Sequence, residues 1–154
     1  MGTNLSVTAD DEHMKPLFTA TAGATGGRNG RTQTTDGSVI ADLALPRALG
    51  GQRRPNTTTP EHLFASAYAA SFAGALESIA ERRQRDATKA TVTCVVTLGT
   101  LHTGEFGLAI KIRVENKEIP QGELYVLMSE AYKICPYSRA TRGNIDVALE
   151  AAGG

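Results

Sequence analysis

The sequence predicts a soluble α+β domain with mainly antiparallel pairing, and three observations carry that reading. Asp36-Gly37 stands between two strand-like runs, a strong hairpin signal because those turn positions must tolerate positive φ. Thr59-Pro60-Glu61 opens a long, apolar segment with an N-cap residue, a proline suited to the first helical position and an acid suited to the positive end of the helix dipole. Two runs of alternating apolar residues then precede an amphipathic helix and a last strand.

Taken in order, residues 1–15 are polar and aperiodic and read as a mobile tail, leaving 16–154 as one domain. A first strand is expected over Leu17–Thr21, followed by the glycine-dense loop from Gly23 to Gly30. Arg31–Thr35 and Ser38–Leu45 form the hairpin, with Val39, Ala41, Leu43 and Leu45 on one face. The helix from Pro60 is apolar or small on nearly every face through Leu76, which places it in the interior, and it is expected to end near Arg85. Thr91–Leu98 and Phe106–Glu115 are strands, the second with Phe106, Leu108, Ile110, Ile112 and Val114 opposite Lys111, Arg113 and Glu115. Gln121–Cys135 is a helix with an apolar stripe of Leu124, Leu127, Met128, Ala131, Ile134 and Cys135, stopped by Pro136. Asn144–Leu149 is the last strand.

Composition narrows the function classes. The chain of 154 residues carries 16 Lys plus Arg against 16 Asp plus Glu, so it lacks the basic excess of a nucleic-acid or membrane-surface binder. The apolar run Leu63–Leu76 is interrupted by serines and too short to span a bilayer, and no leader-like segment opens the chain, so a cytoplasmic protein is expected. Two cysteines without a Cys-x-x-Cys, and three scattered histidines, argue against a structural metal site.

Four residues have chemistry to offer, each with a plainer alternative. Cys135 reads either as a redox thiol exposed where the chain leaves its helix or as a small buried hydrophobe. Ser71 is a hydroxyl within an apolar helix; its surroundings are not a nucleophile elbow, and a mid-helix serine usually bonds back to its own helix. Arg28 sits among glycines that free the backbone to aim it, although the loop is not a phosphate loop. Glu61 serves at least the helix dipole. Cys94 points inward from a strand as a structural residue.

Five stretches of the chain are more specific: Thr25-Gly26-Gly27-Arg28-Asn29-Gly30, Thr59-Pro60-Glu61-His62-Leu63-Phe64-Ala65, Tyr68 through Leu76, Gly104-Glu105-Phe106-Gly107-Leu108 and Cys135 through Val147. In these motifs, in their order and over nearly everything after Phe18, the chain resembles the organic hydroperoxide resistance family of the OsmC-like superfamily. The resemblance implies an OsmC-like fold, with antiparallel sheets around a buried central helix, in an intertwined homodimer. It implies a thiol-dependent peroxidase that reduces organic hydroperoxides, fatty-acid hydroperoxides among them, to alcohols. No bound cofactor is implied. The external reductant is a dihydrolipoyl dithiol, on a lipoylated protein or as dihydrolipoamide.

Residue by residue, Arg28 matches the family's arginine, Glu61 its glutamate and Cys135 its resolving cysteine, and the peroxidatic cysteine falls on Ser71. Phe64, Phe72, Phe106 and Tyr137 would suit a lipid-like substrate. Three explanations fit Ser71: an engineered replacement that holds the reduced state, a natural paralogue that binds or senses hydroperoxides, or other chemistry such as ester hydrolysis. In each case a serine hydroxyl cannot enter the sulfur oxidation cycle. With no sulfur at its partner position, Cys135 is expected to be a free thiol. Ten positions on one helix separate Glu61 from Ser71, about 15 Å of rise, so a glutamate from a symmetry mate is better placed to serve the site.

Overall fold

The structure is a computed structural model that describes residues 14–52 and 54–154. Most of the expected N-terminal tail, and His13 with it, lies outside the described residues. The chain divides into two compact units, one ending at Thr57 and one from Thr58 to Gly154.

The first unit holds a three-stranded antiparallel sheet of β1 (Ala22–Thr25), β2 (Arg31–Thr34) and β3 (Ile40–Asp42). The first strand therefore starts five residues later than the composition of Leu17–Thr21 implies. Pairing decides this: β1 runs directly into a one-turn 3-10 segment, Gly27–Asn29, which returns the chain with Thr25 opposite Arg31. Gly26 and Gly27 take positive φ there, and a Cβ on Gly30 would overlap the Thr25 carbonyl, so glycines are required by both backbone angle and space. Part of the expected glycine loop is thus strand.

The second hairpin turns at Asp36-Gly37, as expected, but only Gly37 takes positive φ. Asp36 instead uses its side chain, accepting from the backbone N–H of Ser38 at 3.0 Å and from its hydroxyl at 2.7 Å. These bonds favour the charged carboxylate and hold its pKa down to about 2, with the Ser38 backbone the largest cause. β3 is only three residues long. Val39 and Ile40 are both exposed and Leu43 and Ala44 both buried, so the expected alternation from Val39 to Leu45 breaks where β3 ends.

The second unit is built on α1 (Pro60–Arg82), 23 residues long. Thr59 caps it by accepting the His62 N–H at 3.2 Å, and Pro60 occupies the first turn. It ends three residues before the expected Arg85, where Gln84 takes positive φ and the Arg85 N–H returns to the Ala80 carbonyl at 2.9 Å. By length and composition α1 is large enough to cross a membrane, which the shorter run Leu63–Leu76 does not suggest. In this unit it is the core helix: Tyr68, Phe72, Leu76, Ile79 and Ala80 are buried at helical spacing. Ala70 and Gly74 are exposed, so the single chain covers one stripe of the helix and not all its faces.

That stripe shares a core with a second three-stranded sheet and another helix. β4 (Thr91–Thr100) and β5 (Phe106–Asn116) pair antiparallel along their whole length, directing Val92, Cys94, Val96, Ile110, Ile112 and Val114 into the core. α2 (Gln121–Ile134) buries Leu124, Leu127, Met128 and Ala131. The last strand, β6 (Val147–Gly153), lies three residues later than expected and pairs with β5 in parallel, Ile110 opposite Val147. Parallel pairing follows from the helical crossover between the two strands, so the sheet is mixed and not wholly antiparallel. Pro136 does end α2, yet it also opens a further short helix, α3 (Pro136–Thr141), which the sequence reading does not separate.

Candidate functional site

Cys135 is the hinge of the site. The residue before a proline is pushed out of the helical region, and Cys135 accordingly takes φ −61° and ψ 125° between α2 and α3. Its N–H still bonds the Ala131 carbonyl at 2.9 Å, and its carbonyl accepts the Arg139 N–H at 3.0 Å, so both helices fix it. The side chain is fully buried, which agrees with the reading of Cys135 as a buried residue on the apolar stripe of α2 and not with a thiol exposed at the helix exit. α1 presents the half-buried Ser71 to it, with the hydroxyl oxygen 3.6 Å from the sulfur. The hydroxyl and the thiol, 64 positions apart in sequence, thus form a contact across two helical segments.

One turn before Ser71 on α1 stands Tyr68, also fully buried. Its hydroxyl is 2.8 Å from the Ser138 hydroxyl and 3.3 Å from that of Thr141, both on α3. Thr141 in turn donates to the Ser138 carbonyl at 3.2 Å. Burial raises the Tyr68 pKa above its ordinary value against the lowering effect of these two bonds, so the phenol stays protonated. Sequence reading missed this network. Its only trace is a polar Ser138 and Thr141 at one-turn spacing, opposite a tyrosine in an otherwise apolar helix.

The expected aromatic residues divide. Phe64 and Tyr137 come together around Tyr68: ring centroids are 5.9 Å apart for Phe64–Tyr68, 5.7 Å for Tyr68–Tyr137 and 6.2 Å for Phe64–Tyr137. Phe72 is fully buried in the core, and Phe106 is exposed at the start of β5. Glu61 sits half-buried in the first turn of α1. The helix is continuous to Ser71, so about 15 Å of rise separates the two within one chain. Arg28, in the other unit, is half-buried in the Gly27–Asn29 turn. That turn is anchored by Asn29, whose side-chain oxygen accepts the Leu45 N–H at 2.9 Å, and by Arg54, which donates to the carbonyls of Leu43 and Asn29.

Both cysteines are free. Burial, with a smaller contribution from Cys135, pushes the Cys94 thiol up to about 11, which makes it a poor nucleophile at neutral pH. Among the described residues, no group of three or more His, Cys, Asp or Glu could hold a metal ion.

The family model for OsmC-like proteins matches residues 51–150. The organic hydroperoxide resistance protein of Xanthomonas axonopodis pv. citri is 41% identical over 139 residues, covering 90% of this chain and 96% of its own. OhrA of Bacillus subtilis, another organic hydroperoxide resistance protein, is 39% identical over 139 residues, with 90% and 98% covered. The crystal structure of an organic hydroperoxide resistance protein from Elizabethkingia anophelis superposes with a TM-score of 0.84 at 36% identity, over 92% of this chain and all of the other. With its sheets and core helix, and with 36% to 41% identity to these proteins over nearly its whole length, the chain belongs to the organic hydroperoxide resistance family of OsmC-like proteins.

Proposed function

We propose that this chain carries the site of a thiol-dependent organic hydroperoxide reductase in a form silenced by Ser71. The observation that supports this most is the contact of the Ser71 hydroxyl with the buried Cys135 thiol. Two sulfurs in that relation would lie close enough to bond after a small side-chain adjustment. With a thiolate at position 71, attack on the distal peroxide oxygen breaks the O–O bond, releases an alkoxide that leaves as alcohol, and gives a sulfenic acid. The Cys135 thiol then displaces water to form a disulfide, which an external dihydrolipoyl dithiol reopens. Arg28 would lower the pKa of that nucleophile and Glu61 would hold the guanidinium, while Phe64 and Tyr137 would face an apolar substrate.

Ser71 removes the sulfur on which every step of that cycle turns and leaves the surrounding residues in place. The chain as written is therefore expected to bind cumene or linoleic hydroperoxide saturably by calorimetry, and to leave the hydroperoxide unconsumed with dihydrolipoamide present. Turnover by the serine form would show that Ser71 is not the nucleophile position. Absence of binding would show that the site has diverged.

The same reading makes the protein a cytoplasmic homodimer. About 15 Å of helix between Glu61 and Ser71 favours a glutamate supplied by a second copy. Sedimentation is expected to give twice the chain mass of 16.2 kDa at micromolar concentration, and a stable monomer would overturn this assignment.

A further inference from the structure

Tyr68 and Ser138 form a second rung between the same two segments that Ser71 and Cys135 join. Tyr68 precedes Ser71 by three residues on α1, and Ser138 follows Cys135 by three residues, from hinge to α3. The segments run antiparallel at this crossing, so the two contacts, 2.8 Å between hydroxyls and 3.6 Å between oxygen and sulfur, are successive steps about one helical turn apart. Tyr68 grips α3 twice: its ring stacks on Tyr137 at 5.7 Å, and its hydroxyl meets Ser138. The hydroxyls are buried, so water is not at hand to replace the bond, and its loss would leave a buried polar group short of a partner. Because α3 is only six residues long and Cys135 is its N-cap, fixing Ser138 fixes where the Cys135 side chain points.

We propose that the Tyr68 hydroxyl, through Ser138, is a positioning device that sets the approach of the Cys135 sulfur to position 71. The inference rests on the reading of position 71 as the nucleophile position. Tyr68 touches neither of the reacting atoms. It acts by raising the effective concentration of one sulfur at the other, which is what determines how readily their disulfide forms against an external thiol.

The test uses the full chain carrying Ser71→Cys, equilibrated with reduced and oxidised glutathione, with the disulfide fraction read by mass. Adding Tyr68→Phe, which keeps the ring and removes the hydroxyl, is expected to lower the disulfide equilibrium constant about tenfold, or about 30 mV. Ser138→Ala should shift it in the same direction and serves where Tyr68→Phe does not fold. Ile79→Val, a core truncation farther along α1, should lower the melting temperature of the reduced chain and leave the potential where it was. An unchanged potential with Tyr68→Phe or Ser138→Ala, or an equal shift with Ile79→Val, overturns the proposal and leaves the nucleophile assignment standing. If Ser71→Cys alone forms no disulfide with Cys135, the assignment of position 71 falls, and this inference with it.

Discussion

Replacing Ser71 with cysteine is expected to raise organic hydroperoxide reduction by on the order of 10³-fold or more over the chain as written. Loss of the nucleophile from an enzyme that depends on one removes most of its rate, and the reverse change restores the missing part. Serine fails here for a chemical reason: its hydroxyl is not appreciably ionised at neutral pH, and oxygen has no counterpart to the sulfenic acid on which the cycle turns. The other residues that the proposal uses are in the chain: a buried thiol 3.6 Å from the Ser71 hydroxyl, an arginine in a braced turn and a glutamate in the first turn of α1. The exchange is nearly isosteric at a half-buried position, so the folded state should change by less than about 1.5 kcal/mol. Turnover of cumene hydroperoxide with dihydrolipoamide, compared between folded serine and cysteine forms, measures the gain. A folded but inactive cysteine form would favour a binding role.

Phe72→Ala should destabilise the chain by about 3–5 kcal/mol. Phe72 is fully buried, on the α1 stripe that includes Tyr68, Leu76 and Ile79, and shares its cluster with residues of β5 and α2. Its removal loses the transfer free energy of the ring and leaves a cavity that the closely packed sheet and helix around it fill only in part. For a chain of this size the melting temperature should fall by roughly 10 °C or more. Urea unfolding gives the free energy, and a cost below about 1 kcal/mol would contradict the placement of α1 as the core helix of its unit.

These two neighbours on α1 show what could be read from the sequence. The helix itself was legible because its start is encoded locally, in the Thr59 cap and Pro60, and its interior in residues that are apolar or small on nearly every face. β4 and β5 were legible because their period of two persists for ten and eleven residues. β1 and β6 were displaced by three to five residues because their limits are set by partners: β1 by the turn that pairs it with β2, β6 by its parallel register on β5. Neither constraint has a local signature. At the site, the residue types were available from resemblance and the burial of Cys135 from its place on the apolar stripe of α2, but its contact with Ser71 was not. Pro136 read as a stop, whereas it bends the chain so that Cys135 turns inward and a new helix begins. The Tyr68–Ser138 bond joins residues 70 positions apart and lies beyond any periodicity argument.

A thiol count through one turnover distinguishes whether position 71 is the nucleophile position and Cys135 its partner. The fully reduced Ser71→Cys chain has the two natural thiols and the introduced one. It is mixed with one equivalent of cumene hydroperoxide without reductant, unfolded and titrated, with peptide mapping of the product. One titratable thiol is expected to remain, at Cys94, with a disulfide between positions 71 and 135 and one equivalent of cumyl alcohol. The chain as written should keep both its thiols and leave the hydroperoxide intact. Three remaining thiols with intact hydroperoxide, or a disulfide that includes Cys94, would contradict it.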